Sequence, residues 1–223
     1  MIRDLYINNG NIKTSVNHRG NDCLQLGYDV IYDKYLIKYK ESNISLALIG
    51  ILYGDDLYVY NNYFTNSKLY GYDIDTSLFL SHQSNELINN VCLLELDSTN
   101  NIMTNIIKTT FDIIIDDGDH NPISMIKTFI NFYPKLNMNG IYFIEDVKNE
   151  KYKILKYFFE NNNIEFKIEK KNDECSHSII IVEKTQDKNN ITNLKFVNIK
   201  EVKRDLKKQK RDLKKQKRIL KNT

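Results

Sequence analysis

An α/β fold built on a doubly wound, mostly parallel sheet is the architecture this sequence predicts. Three observations point to it. Strand-like apolar runs alternate with helical stretches from residue 44 onward. Several runs are continuous rather than alternating, Leu46-Ala47-Leu48-Ile49 and Ile113-Ile114-Ile115 most clearly, as in strands covered by helices on both faces. Finally, glycines and acids collect just beyond the strand ends, where such sheets place their ligands.

The elements follow in order. In the lead-in, residues 1–43, Tyr28, Ile31, Tyr32, Tyr35, Leu36 and Tyr39 recur at three- and four-residue steps and predict an amphipathic helix. Strands are expected at Ser45–Gly50, Lys68–Asp73, Val91–Leu96, Phe111–Asp116, Gly140–Glu145, Ile164–Glu169 and Ser178–Glu183. The clearest helix is Pro122–Tyr133. Asn121 suits its N-cap, Pro122 its first position, and Ile123, Ile126, Ile130 and Tyr133 form one apolar stripe. Asn137-Met138-Asn139-Gly140 reads as a turn into the next strand, with Cys92 expected in the core of an earlier one. Gln186–Asn193 is a polar linker. Beyond it Lys203–Gln209 recurs unchanged as Lys210–Gln216, and Ile199, Leu206, Leu213 and Leu220 fall every seventh residue. One apolar position per heptad is half of what a coiled coil needs. The division is therefore a helical lead-in (1–43), a catalytic domain (44–185), and a linker with a basic tail (186–223).

Composition removes several classes. A chain of 223 residues with 41% hydrophobic and 27% charged residues can bury one sizeable core. No apolar stretch approaches the ~18 residues of a membrane span, and the N-terminus lacks a secretory apolar core. Cys23, Cys92 and Cys175 are far apart and form no CxxC pair, which argues against a disulfide framework or thiolate zinc site and for a reducing, cytoplasmic setting. Charge is asymmetric. Twelve of the 32 Lys/Arg but only three of the 29 Asp/Glu fall in residues 200–223, leaving an acidic body of net −6 and a tail of net +9. An acidic body argues against nucleic acid as substrate. The tail suits anionic surfaces, and its heptads leave room for self-association into a homo-oligomer.

The strand ends carry the chemistry. The first gives Gly50-Ile51-Leu52-Tyr53-Gly54, a turn whose glycines let backbone approach a ligand. The second ends at Asp73, where an acid commonly accepts hydrogen bonds from ribose hydroxyls, and the third ends Asp97-Ser98. The fourth and fifth end Asp116-Asp117-Gly118-Asp119-His120 and Glu145-Asp146. Packing five carboxylates together costs energy unless a cation neutralises them, and oxygen donors select a hard divalent ion, Mg²⁺ above all. A neutral His120 beside such an ion suits a general base. A solvated acidic loop with His120 on its rim is the alternative.

Leu46–Asp75 resembles motifs I and II of class I S-adenosylmethionine-dependent methyltransferases. Phe111-Asp-Ile-Ile-Ile-Asp-Asp-Gly-Asp-His120, followed by Gly140-Ile-Tyr-Phe-Ile-Glu-Asp146, is similar to the Mg²⁺-dependent macrolide-sugar O-methyltransferases and the related cephalosporin hydroxylase-like group. Tyr28-x-x-x-Tyr32 is similar to that group's lead-in. The resemblance covers roughly residues 20–185. It implies a Rossmann-like seven-stranded sheet with one antiparallel strand and helices on both faces. It also implies Asp117, Glu145 and Asp146 as metal ligands, His120 as base, and a cofactor set of Gly50, Gly54, Asp73, Asp97, Ser98 and Asp116. Within that set Asp73 would bind ribose, Asp97 and Ser98 would lie near adenine, and Gly50 and Gly54 would line the methionine end. The chain departs from the pattern at Leu48, where an acid that helps hold the cofactor's ammonium is usual. It departs also at Leu52, where a middle glycine is common, and at Asp119, where Ser is typical.

The expected activity is methylation of a hydroxyl on a sugar or glycosylated small molecule, with S-adenosylmethionine and Mg²⁺ as cofactors. Leu48 motivates a second reading, a non-catalytic scaffold with a degenerate cofactor site. A nicotinamide dehydrogenase ranks below both because the G-x-G-x-x-G turn is missing. A nucleic-acid methyltransferase lacks an N-P-P-Y type signature.

Overall fold

The computed structural model describes residues 1–8, 23–24, 26–170, 172 and 175–185, with isolated positions beyond. The linker predicted at 186–193 and nearly all of the heptad tail lie outside the described residues.

Among the described residues, α1 (Ile2–Asn8) and α2 (Tyr28–Leu36) precede the sheet. Then follow β1 (Asn43–Ile49), α3 (Asp55–Tyr63), β2 (Asn66–Asp73), α4 (Ser77–His82), α5 (Asn85–Asn90) and β3 (Val91–Glu95). The second half comprises α6 (Asn101–Thr104), β4 (Phe111–Asp116), α7 (Pro122–Phe132), β5 (Leu136–Ile144), α8 (Asn149–Asn161), β6 (Lys167–Glu169) and β7 (Ile179–Glu183). The strands form one sheet in the order β3-β2-β1-β4-β5-β7-β6. Pairs among β1 to β5 are parallel, and β7 runs antiparallel to both neighbours. All seven predicted strands are present, with the single antiparallel strand the resemblance implied.

Side-chain alternation sorts the core into two layers. Leu46, Leu48, Ile113, Ile115, Ile141 and Phe143 face one cluster, which α1, α2 and α3 cover. Ala47, Ile49, Ile114, Tyr142 and Ile144 face the other, beneath α7 and α8. Continuous apolar runs are thus required, because both faces of the central strands are dry.

Four expectations need correction. Cys92 is exposed, because β3 is the edge strand. The buried face of α7 is Met125, Ile126, Phe129 and Phe132, whereas Ile123 and Ile130 are half-buried. Phe129 accounts for this: its ring lies 4.6 to 5.9 Å from those of Tyr133, Tyr142, Phe158 and Phe159, and this aromatic layer turns the helix. Asn121 does cap it, accepting from the Ile123 amide at 2.9 Å. The stretch predicted as a turn at 137–140 belongs to β5, whose register against β4 shifts between Phe111 and Ile113. Strand β6 is only three residues long. Among the described residues no helix is long and apolar enough to cross a membrane.

Candidate functional site

Strand order reverses between β1 and β4: from β1 the chain goes to β2 on one side, and β4 returns on the other. A crevice is expected outside the carboxyl ends of strands at such a point, and two adjoining cavities lie there.

The larger has a volume of about 440 Å³ and is lined by the ends of β1 to β4, including Gly50, Gly54, Asp73, Asp97, Ser98 and Asp116. Its floor is the turn after β1. Gly50 (φ 82°) and Gly54 (φ 84°) are both left-handed. A Cβ on Gly50 would lie 2.2 Å from the Asp117 carbonyl oxygen, so the two loops touch backbone to backbone. Asp73 holds this turn directly. Its Oδ2 accepts from the amides of Ile51 (2.8 Å) and Leu52 (3.1 Å). Leu52 keeps φ at 44°, a conformation glycine would adopt at lower cost. Asp73→Ala strands two loop amides, so we expect a stability loss of about 1.5–3 kcal/mol, the usual worth of hydrogen bonds to a charged group. Asp73→Asn, which retains an acceptor oxygen, should recover part of it; chemical denaturation distinguishes the two. On the far wall Asp97 Oδ1 accepts from the amide and hydroxyl of Thr99, and the Ser98 and Thr128 hydroxyls are 2.9 Å apart.

The smaller cavity, about 270 Å³, is lined by Asp56, Asp117, His120, Glu145 and Asp146, together with Cys23, Tyr28, Lys148 and His177. Asp56 and Asp117 belong to both cavities. Sheet-like hydrogen bonds continue past the strand ends and fix the loops: Asp117 N donates to Ile49 O (2.8 Å) and Glu145 N to Asp116 O (3.0 Å). His120 Nε2 sits 3.7 Å from Asp117 Oδ1 and 3.6 Å from Asp146 Oδ2. His120 (φ 56°) and Asp146 (φ 54°) are left-handed, so with Leu52 three of the five non-glycine residues in that region among those described lie at the two cavities. Strain of this kind collects at functional sites because surrounding structure must enforce it.

The acids are crowded. Burial, then the charges of Glu145, Asp56 and Asp146, push the Asp117 carboxyl well above its ordinary range. Burial and then Asp56 do the same to Glu145. Asp56 is pushed up to about 6, mainly by burial. Three tyrosines from the lead-in meet this cluster: Tyr6 donates to Asp56 Oδ1, Tyr32 to Glu145 Oε1, and Tyr28 to Asp146 Oδ1 at 3.1 Å.

Of the five acids at the ends of β4 and β5, three face the smaller cavity and two do not. Asp119 is exposed and accepts from the Asn121 amide and the Ser124 hydroxyl. Asp116 lines the larger cavity. It is 3% exposed, burial pushes it up to about 7, and its Oδ2 has no hydrogen-bond partner. Leu48 is buried in the core. Among the described residues no group of three His, Cys, Asp or Glu side chains already stands where it could hold a metal ion. Sequence reasoning gave no role to Asp56, Tyr6, Lys148 or His177, and took Tyr28 and Tyr32 as helix-face residues.

No protein-family model matches the chain. Two curated relatives share sequence with it. The 8-demethyl-8-alpha-L-rhamnosyl tetracenomycin-C 2'-O-methyltransferase of Streptomyces olivaceus is 25% identical over 130 residues, covering 54% of this chain and 33% of the relative. The demethylmacrocin O-methyltransferase of Streptomyces fradiae is 28% identical over 131 residues, 52% of this chain and 30% of the relative. The chain thus matches about a third of the length of these proteins. Among solved structures, the MycE methyltransferase of the mycinamycin biosynthetic pathway, in complex with Mg and SAH, superposes with a TM-score of 0.60 at 18% identity, over 86% of this chain and 56% of that one. An rRNA methylase from Streptococcus thermophilus superposes with a TM-score of 0.53 at 15% identity, over 70% and 95%. These likenesses show the fold to be that of class I methyltransferases.

Proposed function

We propose that this chain is an S-adenosylmethionine- and Mg²⁺-dependent O-methyltransferase whose acceptor is a hydroxyl of a sugar or glycosylated small molecule. The observation that carries the reading is the junction of the two cavities. A crevice of cofactor size, floored by a glycine turn, adjoins across Asp117 and Asp56 a carboxylate-lined cavity that holds His120. The curated relatives are O-methyltransferases by name, one of them of a rhamnosyl tetracenomycin, and MycE was crystallised with Mg and SAH.

The chemistry of the lining residues suits both groups. The larger cavity offers Asp73 for ribose hydroxyls, Asp97 and Ser98 at the adenine end, and Gly50 and Gly54 where the methionine end needs close backbone. Leu48 presents no carboxylate, but Asp116 on the adjacent strand has a buried oxygen without a partner, suited to the ammonium group. In the smaller cavity the donors are oxygens, and the raised proton affinity of Asp117 and Glu145 marks a charge excess that a hard dication relieves. Asp117, Glu145 and Asp146 would hold it.

When bound, S-adenosylmethionine supplies an electrophilic methyl group and Mg²⁺ acidifies and orients the acceptor hydroxyl. His120 accepts the hydroxyl proton at Nε2, and the Asp117 and Asp146 carboxylates on either side complement the imidazolium charge that forms. Residues 200–223, net +9, would serve contacts with anionic surfaces outside this chemistry.

Transfer of a labelled methyl group to a panel of glycosides and nucleotide sugars, with Mg²⁺ or with excess EDTA, tests the proposal. We expect transfer that EDTA abolishes; full activity in EDTA would remove the metal from the mechanism. With an accepted glycoside, His120→Gln should lower turnover by about 10²- to 10⁴-fold while the acceptor still binds. Native turnover in His120→Gln across pH 6–8 would place the base elsewhere.

A further inference from the structure

We propose that Tyr6, Tyr28 and Tyr32 are positioning residues that set which divalent ion the carboxylate cavity accepts, favouring Mg²⁺ over Ca²⁺. The inference rests on the reading of that cavity as a metal site. Each tyrosine hydroxyl donates to a single oxygen of a different acid: Asp56 Oδ1, Asp146 Oδ1 and Glu145 Oε1. One oxygen of each of these carboxylates is thereby engaged, so that of the acids that would hold the ion Glu145 offers Oε2 and Asp146 offers Oδ2, the latter 3.6 Å from His120 Nε2, while Tyr6 fixes Asp56 beside them.

The tyrosines cannot easily withdraw. Tyr6 and Tyr32 are fully buried, and Tyr28 is 1% exposed. The Tyr32 ring packs edge-on against Phe143 at 5.0 Å and against Tyr60 at 6.0 Å.

Ion chemistry turns this arrangement into a preference. Ca²⁺ takes six to eight oxygens at roughly 2.3–2.6 Å and commonly gathers both oxygens of a carboxylate. Mg²⁺ takes six at roughly 2.0–2.1 Å in near-octahedral geometry and accepts one oxygen from each carboxylate. Acids whose second oxygen is held by a tyrosine supply the latter and withhold the former. The same hydrogen bonds orient the donors, a function of outer-shell partners that commonly governs metal affinity. The device also gives the lead-in helices a part in the site, since all three tyrosines come from α1 and α2.

The test is titration of the full chain with MgCl₂ alone and with CaCl₂ alone, followed by calorimetry. It compares the native protein with Tyr32→Phe and Tyr28→Phe, with thermal melts as a check on folding. Phenylalanine keeps each ring and removes only the hydroxyl. We expect the ratio of Ca²⁺ to Mg²⁺ dissociation constants to fall about tenfold in Tyr32→Phe, chiefly through tighter Ca²⁺ binding. Tyr28→Phe, whose side chain lines the cavity, should show the same direction even if Tyr32→Phe folds poorly. An unchanged ratio in a folded variant that binds both ions overturns the selectivity role and leaves the metal reading standing. Failure of the native chain to bind either ion overturns both.

Discussion

Alanine at Asp117 or at Glu145 is expected to reduce methyl transfer by about 10²- to 10³-fold or more, the scale on which loss of a main electrostatic element acts. Affinity for S-adenosylhomocysteine should stay within about threefold of native. Glu145 is the cleaner probe because it lines only the smaller cavity, whereas Asp117 lines both. A second readout separates this outcome from simple unfolding. Burial and mutual repulsion already push Asp117 and Glu145 toward protonation, so each disfavours the ion-free fold when ionised. Removing the Asp117 carboxylate should leave the ion-free melting temperature unchanged or slightly raised, the usual trade between function and stability, whereas Glu145→Ala also strands the buried Tyr32 hydroxyl, which offsets the relief. Losing activity together with several degrees of melting temperature would mean that the acids hold the loops rather than the chemistry.

The largest structural effect is expected at Gly50. Alanine there meets backbone rather than a yielding side chain: the Asp117 carbonyl oxygen at 2.2 Å and its carbon at 2.7 Å. Neither can retreat, because the Asp117 amide is itself bonded to Ile49 O. The residue must also hold φ at 82°. Overpacking and the left-handed backbone together should cost about 2–5 kcal/mol and disable the cofactor crevice. Gly54→Ala should cost less, since its new Cβ would press on the ring of Phe79 and on the Gln83 side chain. Denaturant midpoints order the two variants. A Gly50→Ala protein of native stability would show that the two loops do not meet as described.

Legibility followed physical cause. Strands β1 and β4 were readable because a strand dry on both faces must be apolar throughout. Cys92 was misread because period alone does not reveal an edge, where one face of β3 opens to solvent. The face of α7 was misread because aliphatic spacing was counted without volume, and the Phe129 cluster outweighs Ile123 and Ile130. At the site, the acids after β2 to β5 could be found from the rule that ligands lie beyond carboxyl ends. Asp56 could not, since it lies in the first turn of α3 and joins the cavity only through tertiary folding. Nor could the tyrosines' role: Tyr28 lies 118 residues from Asp146, and no local pattern records that partnership.

Titration of the purified chain with S-adenosylhomocysteine in a calorimeter, with and without MgCl₂, bears most directly on the central claim. Saturable binding to one site, lost in Gly50→Ala and retained in Glu145→Ala, is the result the account predicts. A flat trace at millimolar ligand under both conditions would contradict it, and would make the crevice beyond β1 to β4 a relic of a methyltransferase fold rather than a cofactor site.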